Sequence, residues 1–315
     1  KISSRIMKRI SYILVSRNDN YNGDSVGRCV NTVNHACEII AKNNVVDQSE
    51  VVLVDWCSRS GSLRESISSR LVPEAKGLLK IVTVSPEIAD RHQGDSPFSE
   101  VHAMNVGFRN MEGKHFARID QDTLIGQRFM NWFYHEYEVK DYGWSWPRAA
   151  FCSRRNLSED QSHHSVFRDY IYDQQLSMKV DICHEHNHYS RLMPNGKVFP
   201  FYGGAVGVMM VDRECYLEHK GFNEKLVYMN SMDTEFLNRI AAKEDIYNLC
   251  LSIDADFYHQ NHDRSEGASN DTTQPHAQQE GERKTNDLDI RNKMIDNPNP
   301  DNWGLLDEDL EITIV

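Results

Sequence analysis

The sequence predicts an α/β fold with a mainly parallel central sheet flanked by helices, and three observations predict it. Short apolar runs at residues 10–16, 51–55, 79–84 and 115–119 alternate with segments of helical spacing. That β-α-β order leads to a parallel sheet covered on both faces. Three of the runs end on polar residues, at Ser16-Arg17-Asn18, Asp55 and Asp120/Asp122. In such sheets ligands collect at the carboxyl ends of the strands, so three separate segments are expected to converge on one crevice. Finally, 315 residues with 39% hydrophobic and 10% aromatic content suffice for a sizeable core.

Each element has its own signature. Residues 26–41 place Val26, Val30, Val33, Cys37 and Ile40 at helical intervals after the first strand. A short helix is expected at 63–71, between the second and third strands. Ser96-Pro97 reads as an N-cap followed by proline at the first helical position, opening a helix that runs to about Met111 before Gly113. Residues 115–119 form the fourth strand. Beyond it, 126–139 reads as an aromatic-rich helix, 205–211 as a strand, 233–242 as an amphipathic helix and 247–253 as a strand. Residues 265–279 are polar and poor in apolar side chains, which predicts a loop or linker. The last stretch carries Trp303 and Leu305, which suggests a tail docked on the body. Three units follow: residues 1–123, residues 124–264, and residues 265–315 as an acidic linker and docking tail.

Composition excludes some partners. The net charge is −12, but residues 265–315 hold 12 Asp/Glu against 4 Lys/Arg, and the other 264 residues hold 35 against 31. A nearly balanced body without a basic stripe argues against nucleic acid. No apolar run is long enough for a transmembrane segment. The seven cysteines are odd in number, scattered and without a C-x-x-C pair, which reads as reduced, buried thiols of a cytoplasmic protein or of a soluble domain within a longer one.

Arg118-Ile119-Asp120-Gln121-Asp122 carries the most chemistry. Positions i and i+2 of a strand project to one side, so Asp120 and Asp122 reach one point where the strand gives way to a loop. Two hard oxygen ligands suit Mn²⁺ or Mg²⁺, which keeps coordination sites for substrate phosphates. A solvated Asp-rich turn is the alternative for this motif alone.

Four motifs together resemble a family. Val15-Ser16-Arg17-Asn18, Val54-Asp55-Trp56-Cys57-Ser58, and Asn105-Val106-Gly107-Phe108 followed by Glu112-Gly113 and Asp120-Gln121-Asp122 are three. The fourth runs Gly203-Gly204-Ala205, Gly221-Phe222-Asn223-Glu224, Asp233-Thr234-Glu235 and Asn238-Arg239. In this order they resemble GT-A fold glycosyltransferases of the family 2 type. The second half is similar to the β-1,4-galactosyltransferase and polypeptide N-acetylgalactosaminyltransferase group. The resemblance implies a Rossmann-like nucleotide-binding half fused to an acceptor-binding half. It also implies a metal-dependent transfer of sugar from a nucleotide diphosphate donor, UDP-linked, to a glycan or other hydroxyl acceptor. Ser16, Arg17, Asn18, Asp55, Arg118, Asp120 and Gln121 would hold the donor, with helix capping as the alternative for Asp55. Asp120, Asp122 and His259 would hold the metal, with His262 as the second choice of histidine. Gly203, Gly204 and Glu235 would face the acceptor. From their side chains alone, Trp144 and Trp146 read as a stacking platform for a sugar on the acceptor side, with core packing as the equal alternative. Where the family usually reads Trp-Gly-Gly-Glu-Asp/Asn, this chain has Met229-Asn230-Ser231-Met232-Asp233. Asp233 is left as the carboxylate at the expected general-base position, with a helix N-cap as its alternative role.

Other readings stay open at this level. A retaining transferase shares the fold. A non-catalytic carbohydrate- or nucleotide-binding protein would keep the scaffold and tolerate Met232. A nucleotidyltransferase would want a glycine-rich phosphate loop, and residues 16–24 hold only Gly23. His184-Glu185-His186-Asn187-His188 lacks the H-E-x-x-H spacing of a helical zinc site and reads as a polar loop.

Overall fold

The computed structural model describes residues 7–19, 23–137, 148–152, 154–157, 188–192, 198–202, 207–227, 232–241, 243, 246–249, 253, 255–262 and 299–315. Strands β1 (Lys8–Ser16), β2 (Ser49–Trp56), β3 (Leu79–Val84) and β4 (Gly113–Ile119) pair in parallel in the order β4-β1-β2-β3. All eight residues of β2 are buried, as expected for a strand covered on both faces. The winding runs outward from β1 through β2 to β3, then returns to place β4 on the other side of β1. The gap between the ends of β1 and β4 is therefore the topological switch point.

Helix α1 (Ser25–Lys42) starts where Asp24 accepts a hydrogen bond from the Gly27 N–H. It buries Cys29, Val33, Cys37 and Ile40 against Leu14 and Leu53. Helices α2 (Leu63–Ser68) and α3 (Pro86–His92) are capped by Ser62 and Ser85. Helix α4 (Glu100–Arg109) follows Ser99 and packs Val106 and Phe108 on the opposite face of the sheet, with Val52 and Val54. The sequence placed the start of this helix at Ser96-Pro97. Ser96 instead spends its hydroxyl on the backbone of Phe98, two residues on, which closes a local turn. The serine-proline pair that does open a helix is Ser85-Pro86.

Beyond β4 the chain adds β5 (Thr123–Ile125), α5 (Gln127–Asn131) and a π-helical turn at Trp132–Glu136. β6 (Ala149–Cys152) and β7 (Arg155–Asn156) follow, then a hairpin of β8 (His188–Leu192) and β9 (Val198–Tyr202), and then β10 (Val208–Asp212). Helices α6 (Arg213–Glu218) and α7 (Met232–Ala241), with β11 (Ile246–Asn248), β12 (Phe257–His259) and β13 (Glu311–Ile314), complete the order. The strand foreseen at 247–253 is thus shorter. The eight-stranded sheet reads β11-β6-β10-β4-β1-β2-β3-β13, with β10 antiparallel to β4 and β13 antiparallel to β3. A separate three-stranded sheet, β5-β12-β7, sits beside the switch point.

Residues 299–315 pack on the body. Trp303 is buried with its ring near Phe108 and Tyr216, and the Arg109 guanidinium lies 3.8 Å from its centroid. Asn299 donates to the Lys220 carbonyl and accepts from the Glu224 N–H. Cys29, Cys37, Cys57, Cys152 and Cys215 are buried. Among the described residues no helix is long and apolar enough to cross a membrane.

Gly107 marks the closest approach of α4 to the sheet. A Cβ there would lie 2.4 Å from Ile13 Cγ2 and 3.3 Å from Val54 Cγ2. Gly107→Ala is expected to lower stability by about 1–3 kcal/mol through overpacking. Thermal unfolding checks this, and an unchanged midpoint would contradict the seating of α4.

Candidate active site

The ends of β1 and β4 are tied across the switch point. Ser16, the last residue of β1, donates to Gln121 Oε1 at 2.7 Å. The Gln121 carbonyl accepts from Thr32 of α1 at 2.9 Å, and the Thr123 N–H closes a turn onto the Asp120 carbonyl at 3.0 Å. The segment carrying both aspartates is therefore fixed from two sides.

The small sheet then brings in the remaining groups. Antiparallel pairing of β12 with β5 sets His259 opposite Thr123, next to Asp122. Just after β12, the Gln260 N–H bonds the Asp122 carbonyl at 2.9 Å, and its side chain donates to Thr32 and to the Arg28 carbonyl. Parallel pairing of β7 with β12 aligns Arg155 with Tyr258, which leaves Arg154 at the mouth of the same crevice. As a result His259 Nε2 and His262 Nε2 each lie 3.3 Å from Asp122 Oδ2. Arg154 Nη1 lies 2.7 Å from Asp122 Oδ1 and 3.0 Å from Asp120 Oδ2.

Arg118 is the second centre of charge. Its buried guanidinium lies 2.8 Å from Glu100, 2.9 Å from Asp120 Oδ1 and 3.8 Å from Asp233. Four carboxylates, Glu100, Asp120, Asp122 and Asp233, thus face two guanidiniums, Arg118 and Arg154. Burial, only partly offset by Arg118 and reinforced by Asp120 and Asp233, pushes Glu100 up to about 7. At Asp122 burial is overcome by Arg154 and by hydrogen bonds from both imidazoles, which hold the carboxyl well below the ordinary range. Burial holds His259 below the usual histidine value, an effect that Asp122 moderates and Arg154 reinforces. The neutral imidazole that results is the form able to ligate a metal.

The donor set fits a divalent cation. Ligand atoms of Asp122, His259 and His262 lie within 4.8 Å of one another. One carboxylate and two imidazoles suit Mn²⁺ better than Mg²⁺. Asp120 stands apart from this trio and faces Arg118 and Arg154. Its Oδ1 is buried without a directed hydrogen bond, so it has capacity for a further partner.

Other residues named from sequence fall differently. Asp55 is buried at the end of β2 and accepts from Ser58 Oγ and, at 3.2 Å, from the Leu63 N–H that starts α2. The capping contact is present, and burial against these two bonds raises its carboxyl above the ordinary value. Arg17 engages Asp19 and the Pro97 carbonyl beside the Phe98 ring. Asn18 bonds the 58–66 loop through Ser58, Ser60, Gly61 and Ser66. Glu235, expected to face an acceptor, is 1% exposed and pairs with Arg239 at 2.7 Å. Arg239 also donates to the Gly221 carbonyl at 2.6 Å, so this pair anchors α7 to the 219–221 turn. Trp144, Trp146, Gly203, Gly204 and residues 184–187 lie outside the described residues.

Sequence reasoning missed Glu100, Arg154 and Gln260. Glu100 and Arg154 look like ordinary surface charges in the chain. Gln260 carried a usable signal, since it sits between the two histidines of His259-Gln260-Asn261-His262.

No protein-family model and no curated protein matches the sequence. Among solved structures, the chain is similar to TarS of S. aureus, residues 1–349, in complex with UDP-GlcNAc. The TM-score is 0.51 at 14% identity, covering 91% of this chain and 70% of that one. Another structure of TarS 1–349 gives a TM-score of 0.48 at 13% identity, covering 88% and 73%. The catalytic domain of Drosophila β1,4-galactosyltransferase 7, in complex with xylobiose, gives 0.38 at 13%, covering 82% and 76%. At such identity the likeness to the TarS complex is one of fold, and together with the sheet order above it establishes that this chain has the GT-A fold.

Proposed function

We propose that the protein is a divalent-metal-dependent glycosyltransferase that moves a sugar from a UDP-linked donor to a hydroxyl acceptor with inversion. The observation that carries this reading is the trio of Asp122, His259 and His262 beside Asp120, at the carboxyl ends of the parallel strands of a GT-A fold. The TarS structure with the same fold holds UDP-GlcNAc, which supports a nucleotide-sugar donor.

In this reading Asp122, His259 and His262 would hold Mn²⁺, with Asp120 beside them. Bound there, the ion would supply positive charge to a departing nucleoside diphosphate. The chain's own residues do the rest. Ser16 and Gln121 fix the floor of the crevice between β1 and β4. Asp55 shapes the nucleoside side, with its carboxylate locked by Ser58 and Leu63. Arg118 binds Asp120 and Asp233 into one cluster, which puts the acceptor-side carboxylate near the donor-side one. Asp233 takes the proton from the acceptor hydroxyl as that oxygen attacks the anomeric carbon. Inversion follows from a single displacement, in which the carboxylate acts on the acceptor and not on the sugar.

Asp122→Ala is expected to lower turnover by about a hundredfold or more and to abolish Mn²⁺ binding while the fold persists. Titration calorimetry with Mn²⁺ and circular dichroism check the two halves, and near-normal turnover at saturating Mn²⁺ would overturn the metal assignment. His259→Ala is expected to weaken Mn²⁺ more than Mg²⁺, because the softer ion gains more from imidazole. Equal losses for the two ions would contradict ligation by His259. Asp233→Asn keeps the shape and the helix start but removes the proton acceptor. It is expected to slow the chemical step by about a hundredfold or more with donor affinity nearly unchanged. NMR of the wild-type product is expected to show an inverted anomeric centre, and a retained one would move the chain to a double-displacement or internal-return route.

A further inference from the structure

Arg154 is a cation of the crevice that the reading above leaves without a task. It lies in the short stretch between β6 and β7, and its side chain crosses Gly207 on the way into β10. A Cβ at Gly207 would lie 2.0 Å from Arg154 Nε and 2.3 Å from its Cδ, so the arginine takes this path only over a glycine. Arg154 then makes every one of its described polar contacts through a single nitrogen. Nη1 reaches Asp122 Oδ1 at 2.7 Å, Asp120 Oδ2 at 3.0 Å and Thr123 Oγ1 at 3.0 Å. A guanidinium carries five N–H groups in a planar fork matched to two oxygens of a carboxylate or phosphate. Nε and Nη2 have no partner among the described residues.

The division of Asp122 gives this fork its meaning. Oδ2 faces the two imidazoles and Oδ1 faces Arg154. A cation held on the imidazole side and the guanidinium on the other would flank one carboxylate. An anion bridging to the cation would come within reach of the second prong of Arg154.

We propose that Arg154 is the second cationic wall of the diphosphate subsite, opposing the metal across Asp122 and donating Nη2 and Nε to the diphosphate of the donor. This rests on the glycosyltransferase reading. It carries a signature that a structural arginine lacks. Arg154 and the metal share the charge of Asp120 and Asp122, so each weakens the other in the absence of donor. Both attract the diphosphate, so they act together once it is bound. Removing Arg154 must therefore move cation affinity and nucleotide affinity in opposite directions.

The experiment is titration calorimetry on the full chain with Mn²⁺ alone, then with UDP and with uridine at saturating Mn²⁺. Arg154→Met is expected to tighten Mn²⁺ and to weaken UDP, each on the order of tenfold, the scale of one charge-assisted hydrogen bond. Uridine, which lacks the phosphates, is expected to bind unchanged. Arg154→Lys keeps the charge and loses the fork, so Mn²⁺ is expected to stay near wild type while UDP weakens. Gly207→Ala displaces the side chain without removing it, and is expected to weaken UDP as well; these two variants decide the matter if Arg154→Met does not fold. A loss of Mn²⁺ and UDP affinity together, an equal loss for uridine, or unchanged UDP affinity would overturn the proposal. Wild-type protein that binds neither Mn²⁺ nor UDP would overturn the underlying reading instead, a result distinct from any of these.

Discussion

Strand β12 has three residues and is paired on both edges, antiparallel to β5 and parallel to β7. That pairing is the constraint on which the chemistry of the molecule depends. β5 follows directly from the two aspartates, β12 supplies His259, and β7 follows directly from Arg154. A shift of β12 by one residue would turn His259 to the other face, because side chains alternate along a strand. Gln260 guards against that slip. Its backbone holds Asp122 and its side chain holds α1 through Thr32 and the Arg28 carbonyl. The small sheet is thus tied to α1 at Gln260 and, on β5, by His35 to the Ile125 carbonyl at 2.6 Å.

The second constraint is electrostatic. Gathering four carboxylates side by side, one buried and three half-buried, is costly unless counter-charges are fixed among them. Arg118 is fixed by its place in β4, where Ala117 and its neighbours pair with β1 and β10. Rigid strands on both sides hold the guanidinium where Glu100, Asp120 and Asp233 can share it. Glu100 absorbs what is left by taking a proton near neutrality. Asp120 and Asp233 are in this way joined through one side chain rather than through a loop.

The parallel sheet was legible because its strands are long, apolar and buried on both faces, the pattern that tolerates least ambiguity. Asp120 and Asp122 were legible because a strand ends on them. His259 was named from the resemblance, and its contact with Asp122 depends on pairing between residues more than a hundred positions apart. Arg154 and Glu100 were invisible for the same reason, since nothing local distinguishes them from solvated charges. Ser96-Pro97 misled because a serine hydroxyl serves a two-residue turn as readily as a helix cap. Glu235 misled because its i,i+4 partner, Arg239, buries it within its own helix.

The tail segment has a further consequence. β3 is the outermost of the parallel strands, and without β13 its six residues would present a free row of backbone donors and acceptors. Such an edge is a template for joining other chains. β13 replaces it with a four-residue strand that begins with Glu311. The same segment fills the aromatic pocket of Phe108 and Tyr216 with Trp303. Loss of this stretch by proteolysis would therefore create a sticky strand edge and an open apolar pocket at once, and the cleaved molecule would be prone to self-association before it lost its crevice.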